Sequence, residues 1–127
     1  MKSSPGGWGY IFGLVFLAGC GGQRLPLPGD PGQALEALRS ALNAWARGEN
    51  AASLRGGAAP IHVVDGDWDR GLRLEKYQQT PTAQPSGPNL RCPVRLSLRD
   101  KAGRPFQKQV VYLIETGERI SIVREEQ

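Results

Sequence analysis

The sequence is poor in the residues that most often carry chemistry. Its 127 residues include one histidine, His62, two cysteines, Cys20 and Cys92, and one methionine. No Walker loop, nucleophile elbow, CxxC or HExxH is present. Charge of one sign is scarce as well: 16 Lys and Arg stand against 12 Asp and Glu, for a net +4, and no basic residues are consecutive. Nucleic-acid binding needs denser basic patches, usually interleaved with aromatics, so no nucleic-acid partner is expected. Long apolar runs are missing too. Tyr10-Ile-Phe-Gly-Leu-Val-Phe-Leu-Ala18 extends for nine residues, whereas a spanning helix needs roughly 20.

What is present begins at the end of that stretch. Lys2 precedes the apolar segment, and Leu17-Ala18-Gly19-Cys20 closes it. A positive residue, a short apolar region and small residues before a cysteine read as a signal peptide. Leu17 to Cys20 resembles the lipobox of bacterial lipoproteins. That resemblance implies cleavage before Cys20, with residues 1–19 removed, and acylation of the cysteine (palmitate among the chains). It also implies membrane lipid as a partner and a place in the bacterial cell envelope, at the outer membrane or the periplasmic face. Gly21, in place of Asp, is compatible with outer-membrane sorting by a rule of some bacteria. Cys20 is consumed as a thioether on this reading, so Cys92 is left without a partner and no disulfide is expected. Cys92 then reads as a small apolar residue within a strand.

The 108 residues from Cys20 onward suit one domain. Residues 20–29, with Gly21, Gly22, Pro26, Pro28 and Gly29, read as a flexible tether. From residue 30 to 127 the expectation is an α+β domain. Asp30 is a good N-cap, Pro31 suits the first helical position, and Gln33 is placed to complete a capping box. Leu35, Leu38, Leu42 and Trp45 follow at helical spacing, and Gly48 ends the helix. A short second helix is expected over 51–55. Residues 61–64 read as a short strand or an extended lead into the next segment, 65–71 as a turn with one capped helical turn, and residues 72–77 as the start of another strand. Residues 80–89 have the composition of a loop.

The last third reads as a β-meander. Leu90, Cys92, Val94, Leu96 and Leu98 alternate with Arg91, Pro93, Arg95, Ser97 and Arg99, which gives a strand with one wet face. Residues 100–103 form a hairpin turn with a left-handed glycine. Val110 to Ile114 suggests a central strand covered on both faces, and Ile120 to Val123 a third strand. Pro93 has no N–H and should sit at an edge or a bulge.

This order of elements resembles the NTF2-like fold, the cystatin-like roll of ketosteroid-isomerase shape. The signs are a capped helix ending in Trp45 and Gly48, the Asp67-Trp68, Gly71, Leu74 and Tyr77 segment, and then long strands. The resemblance implies N-terminal helices packed on a curved antiparallel sheet around a conical pocket. In some members that pocket holds a catalytic Asp or an Asp/His pair.

Candidate chemistry is sparse. His62, Asp65 and Asp67 are the residues an enzyme of isomerase or hydrolase type would use as base. Asp65, Asp67 and Asp69 imitate the opening of a calcium loop, but Arg70 stands where glycine is needed and Lys76 where a bidentate Glu is needed. Turn and N-cap duty is the better reading of the three. Arg91, Arg95 and Arg99 share one strand face and form the candidate binding face, for phosphate headgroups or an acidic partner. No metal or cofactor is implied. The expectation is a lipid-anchored, non-catalytic domain whose further partner is an envelope protein or a small apolar ligand.

Overall fold

The computed structural model describes residues 29–57 and 59–125; residues 1–28, with the expected signal peptide, Leu17, Ala18, Gly19 and Cys20, lie outside them. The first element is α1 (Pro31–Ala46). Asp30 caps it, its Oδ1 accepting from the N–H groups of Gly32 at 2.9 Å and Gln33 at 3.5 Å. The expected reciprocal bond from Gln33 gives way to a tertiary one, because the Asp30 N–H donates to Thr116 Oγ1 at 3.2 Å. The far end closes at Gly48, whose φ of +81° is the left-handed conformation that glycine adopts freely.

A 3-10 helix (Ala51–Gly56) follows, then β1 (Ile61–Val64) and a single α-helical turn, α2 (Gly66–Asp69). Next come β2 (Arg73–Gln79), β3 (Gln84–Ser86), β4 (Asn89–Arg99), β5 (Pro105–Glu115) and β6 (Ile120–Arg124). The turn between β4 and β5 carries the expected left-handed glycine, Gly103, at φ +84°. The sheet has the order β1-β6-β5-β4-β2, with β3 pairing β4 beyond the end of β2. It curls strongly into a half-barrel with α1 packed against it. The class is α+β, and two expectations need correction. The sheet is mixed rather than antiparallel, because β1 pairs β6 in parallel, Ile61 opposite Ile120 and Val64 opposite Val123. Residues 80–89 are not all loop, since Gln84–Ser86 forms a tight hairpin with β4.

Pro93 lies within the long strand β4, paired with Val111, and its position is nonetheless a local edge. Its carbonyl accepts from the Thr80 N–H where β2 leaves the sheet. The missing proline N–H points to the same side, into the break between β2 and β3 where no strand needs it.

The inner face of the sheet carries Leu90, Cys92, Val94, Leu96 and Leu98 from β4. Opposite them stand Ile114, Tyr112, Val110, Lys108 and Phe106 from β5. Leu38, Leu42 and Trp45 of α1 fill the hollow and are buried, while Leu35 is only half-buried at its margin. Ala34, Ala37, Ala41 and Ala44, all buried, let the helix backbone come close to the sheet. Trp45 stacks on Trp68, with ring centroids 5.3 Å apart and planes within 4°. Both indole N–H groups donate to backbone carbonyls, Trp45 to Leu72 at 2.8 Å and Trp68 to Glu49 at 2.9 Å. The pair therefore buries two large rings with no orphaned donor. Val111 and Leu113 of β5 are only half-buried, so this strand, central as expected, is not covered on both faces: among the described residues no element packs over their side of the sheet.

Candidate functional site

The most chemically dense place in the fold is a cluster of charges at the inner side of the sheet. It joins α2 to β5 and β6. Asp65 and Asp67 are each 1% exposed. Asp65 is there because it caps α2, its Oδ1 accepting from the N–H groups of Asp67 at 2.9 Å and Trp68 at 3.3 Å. Its other oxygen accepts from the Tyr112 hydroxyl at 2.5 Å. Asp67, two residues further on, is buried beside it. Its Oδ1 accepts from Arg70 Nη2, and its Oδ2 accepts from Arg124 Nη2 and from Lys108 Nζ, the latter at 2.8 Å. Arg124 also lies 3.3 Å from Asp65 Oδ1, so one guanidinium bridges both carboxylates.

Buried charges are tolerable only when paired and hydrogen-bonded, and both conditions hold. Burial alone would push the Asp67 carboxyl up, but hydrogen bonds and charge from Lys108 and Arg124 outweigh it and hold the group below the usual carboxylate value. Burial disfavours the Arg124 cation, yet the hydrogen bond to Asp67 and the charge of Asp65 hold its pKa up. The Tyr112 hydroxyl is driven far above its ordinary value by burial and by the Asp65 charge it donates to. A general base works best with a pKa near the operating pH. Asp67 is tuned the other way, fully ionised with its oxygens occupied.

A polar pocket of about 330 Å³ opens over the cluster, lined by Gly66, Asp67, Arg70, Lys108, Arg124 and Glu125 among others. The Glu125 carboxylate is engaged elsewhere, accepting from Arg91 Nη2 at 2.7 Å.

The residues singled out in the sequence scatter. Asp65 and Asp67 meet; Asp69, on the same turn, is exposed. His62 is exposed on the opposite face of the sheet, paired with Ser121, so it forms no couple with either aspartate. Arg91, Arg95 and Arg99 do share the outer face. Arg91 is tied to Glu125, and Arg99 to Glu75 Oε2 and the Gly103 carbonyl, each at 2.5 Å. Arg95 alone among them has no ion pair within the described residues. The same outer face exposes Val64 and Val123 beside half-buried Val111 and Leu113. Cys92 is buried, and burial pushes its thiol up to about 11. Among the described residues no group of three or more His, Cys, Asp or Glu side chains converges as metal ligands would.

Lys108, Tyr112 and Arg124 were missed by the sequence reading. A signal for them exists. Phe106, Lys108, Val110, Tyr112 and Ile114 share one strand face, as do Ile120, Ile122 and Arg124. Two cations on otherwise apolar faces call for buried carboxylates, and Asp65-Gly-Asp67 supplies them.

No protein-family model, curated protein or solved structure matches the chain. Among the described residues, no helix is long and apolar enough to cross a membrane.

Proposed function

We propose that this chain is a bacterial lipoprotein, anchored in the cell envelope through acylated Cys20, whose α+β domain of NTF2-like type is a non-catalytic binding module. The observation that carries the reading is Leu17-Ala18-Gly19-Cys20 at the end of a nine-residue apolar stretch. Two features of the fold support it. Among the described residues, the buried core draws on positions from Ala34 to Ile122. The order of a capped helix, a short helical segment and a curled sheet around α1 suits a roll. A binding role is favoured over catalysis because Leu38, Leu42 and Trp45 fill the hollow where a roll enzyme would hold its substrate. The two inward carboxylates are also saturated by cations.

The anchor has a definite energetic meaning. Each buried methylene adds about 0.8 kcal/mol, so one chain holds a protein marginally and several hold it almost permanently. In a bacterial host, the wild-type protein should enter the detergent phase of a cloud-point extraction and carry a lipid mass on Cys20. The Cys20→Ser protein should stay in the aqueous phase. A Cys20→Ser protein that is processed and membrane-bound like the wild type would sink the proposal.

A further inference from the structure

We infer that the pocket formed by α2, the first half of β5 and the end of β6 is an oxyanion-binding site, taking the phosphate or carboxylate group of a small ligand through Arg70 and Lys108. The inference rests on the reading of the domain as a binding module, and it does not need the lipid anchor. Its starting point is the charge balance of the cluster. Two buried carboxylates face three cations, and Arg124 alone already bridges both carboxylates. One positive charge is therefore in excess where the pocket opens. Glu125 on the rim does not cancel it, because its carboxylate is held by Arg91.

The two outer cations have donors to spare. The Lys108 and Arg70 side chains are 41% and 65% exposed. Each gives one nitrogen to Asp67. An ammonium has three hydrogens and a guanidinium five, so most of this capacity faces the pocket or solvent. Asp67 is the fixed point that orients them. A guanidinium and an ammonium already held in place lose little freedom when an anion arrives, which favours binding over loose surface pairing. Their bonds to an oxyanion would be charge-assisted, and so of the stronger kind. The volume of about 330 Å³ exceeds what a lone oxyanion fills and leaves room for the body of a small ligand.

The test uses the full chain in detergent micelles, titrated with inorganic phosphate in one arm and succinate in the other. Binding is followed by calorimetry and by backbone amide shifts. Saturable binding of either probe, with shifts centred on Gly66, Arg70, Lys108 and Gln109, is the expected result. Saturation by phosphate alone assigns a phosphate-type ligand, by succinate alone a carboxylate; saturation by both leaves a general oxyanion site. Lys108→Met should weaken binding by about tenfold or more, Lys108→Arg should largely retain it, and Arg95→Ala should leave it unchanged. The near-ultraviolet signal of the Trp45–Trp68 pair reports whether each variant is folded; if Lys108→Met is not, the wild-type shift map decides. The inference is overturned if neither probe saturates at millimolar concentration. It is equally overturned if the shifts spread over unrelated cations such as Arg95 and Arg119, or if Arg95→Ala weakens binding as much as Lys108→Met. Loss of the anchor in Cys20→Ser protein bears on none of these outcomes, so the two readings fail separately.

Discussion

Arg124→Met is the substitution that asks most of the ion cluster. It keeps much of the side-chain volume and removes the one charge shared by Asp65 and Asp67. Removing one partner of a buried pair typically costs about 3–5 kcal/mol. The remaining partners set where in that range the variant falls. Asp67 keeps Lys108 and Arg70, and Asp65 keeps the Tyr112 hydroxyl and two backbone N–H groups. The loss should therefore be near the lower end, about 3 kcal/mol. For a domain of this size that is a lowering of the melting temperature by roughly 12–24 °C. The pH dependence has a fixed sign. The folded-state pKa of Asp67 is depressed, so its stabilisation is present above the ordinary carboxylate value of 3.8 and is lost as pH falls through the depressed value. The deficit of the variant should accordingly be full near neutrality and shrink in strong acid. Urea unfolding followed by tryptophan fluorescence measures both, since Trp45 and Trp68 lie in the core. The reasoning is refuted if the variant is as stable as wild type at neutral pH, or if its deficit does not change on acidification.

Two further outcomes follow from the core. Trp45→Ala should destabilise the domain by about 3–5 kcal/mol and abolish the near-ultraviolet circular dichroism of the stacked pair; retention of that signal would show that the stack is not its source. Cys92, with its thiol at about 11 against an ordinary 9.0, should hold about 100-fold less thiolate than a free cysteine and react correspondingly slowly with a disulfide reagent near pH 8. Labelling of the folded protein at the rate of the urea-unfolded chain would contradict its burial.

Much of the architecture was legible because it is local. Asp30, Pro31, the leucine spacing and Gly48 mark one helix from end to end, and each signal acts within a turn of the residue that carries it. The alternation from Leu90 to Leu98 likewise shows a strand with one buried face. What was not legible depends on pairing across the chain. Nothing in Ile61–Val64 says that it will lie parallel to Ile120–Val123, because strand direction is set by how the intervening chain crosses the sheet. Gln84–Ser86 looked like loop because Pro85 and Gly87 mark a break, and only its register against Asn89–Arg91 makes it a strand. The cluster was half visible: the Asp65 cap is a local signal, whereas its burial beneath Lys108 and Arg124 follows from strands that lie more than forty residues later in sequence. The arginine face showed its geometry but not its state, since the carboxylates of Glu75 and Glu125 that engage two of its members come from other strands or beyond them.

The parallel pairing of β1 with β6 also governs when the molecule can acquire its shape. The N–H of Asp30 waits for Thr116, Ile61 waits for Ile120, and the aspartates at 65 and 67 wait for Arg124. α1 can pack on β2 and on the inner faces of β4 and β5 without β6, whereas β1 has no sheet partner among the described residues other than β6. Contacts of such long sequence separation slow folding relative to domains built from local contacts alone. β1 therefore stays unpaired until β6 has been synthesised. That delay suits passage through a narrow export channel, which the proposed envelope location requires of the chain.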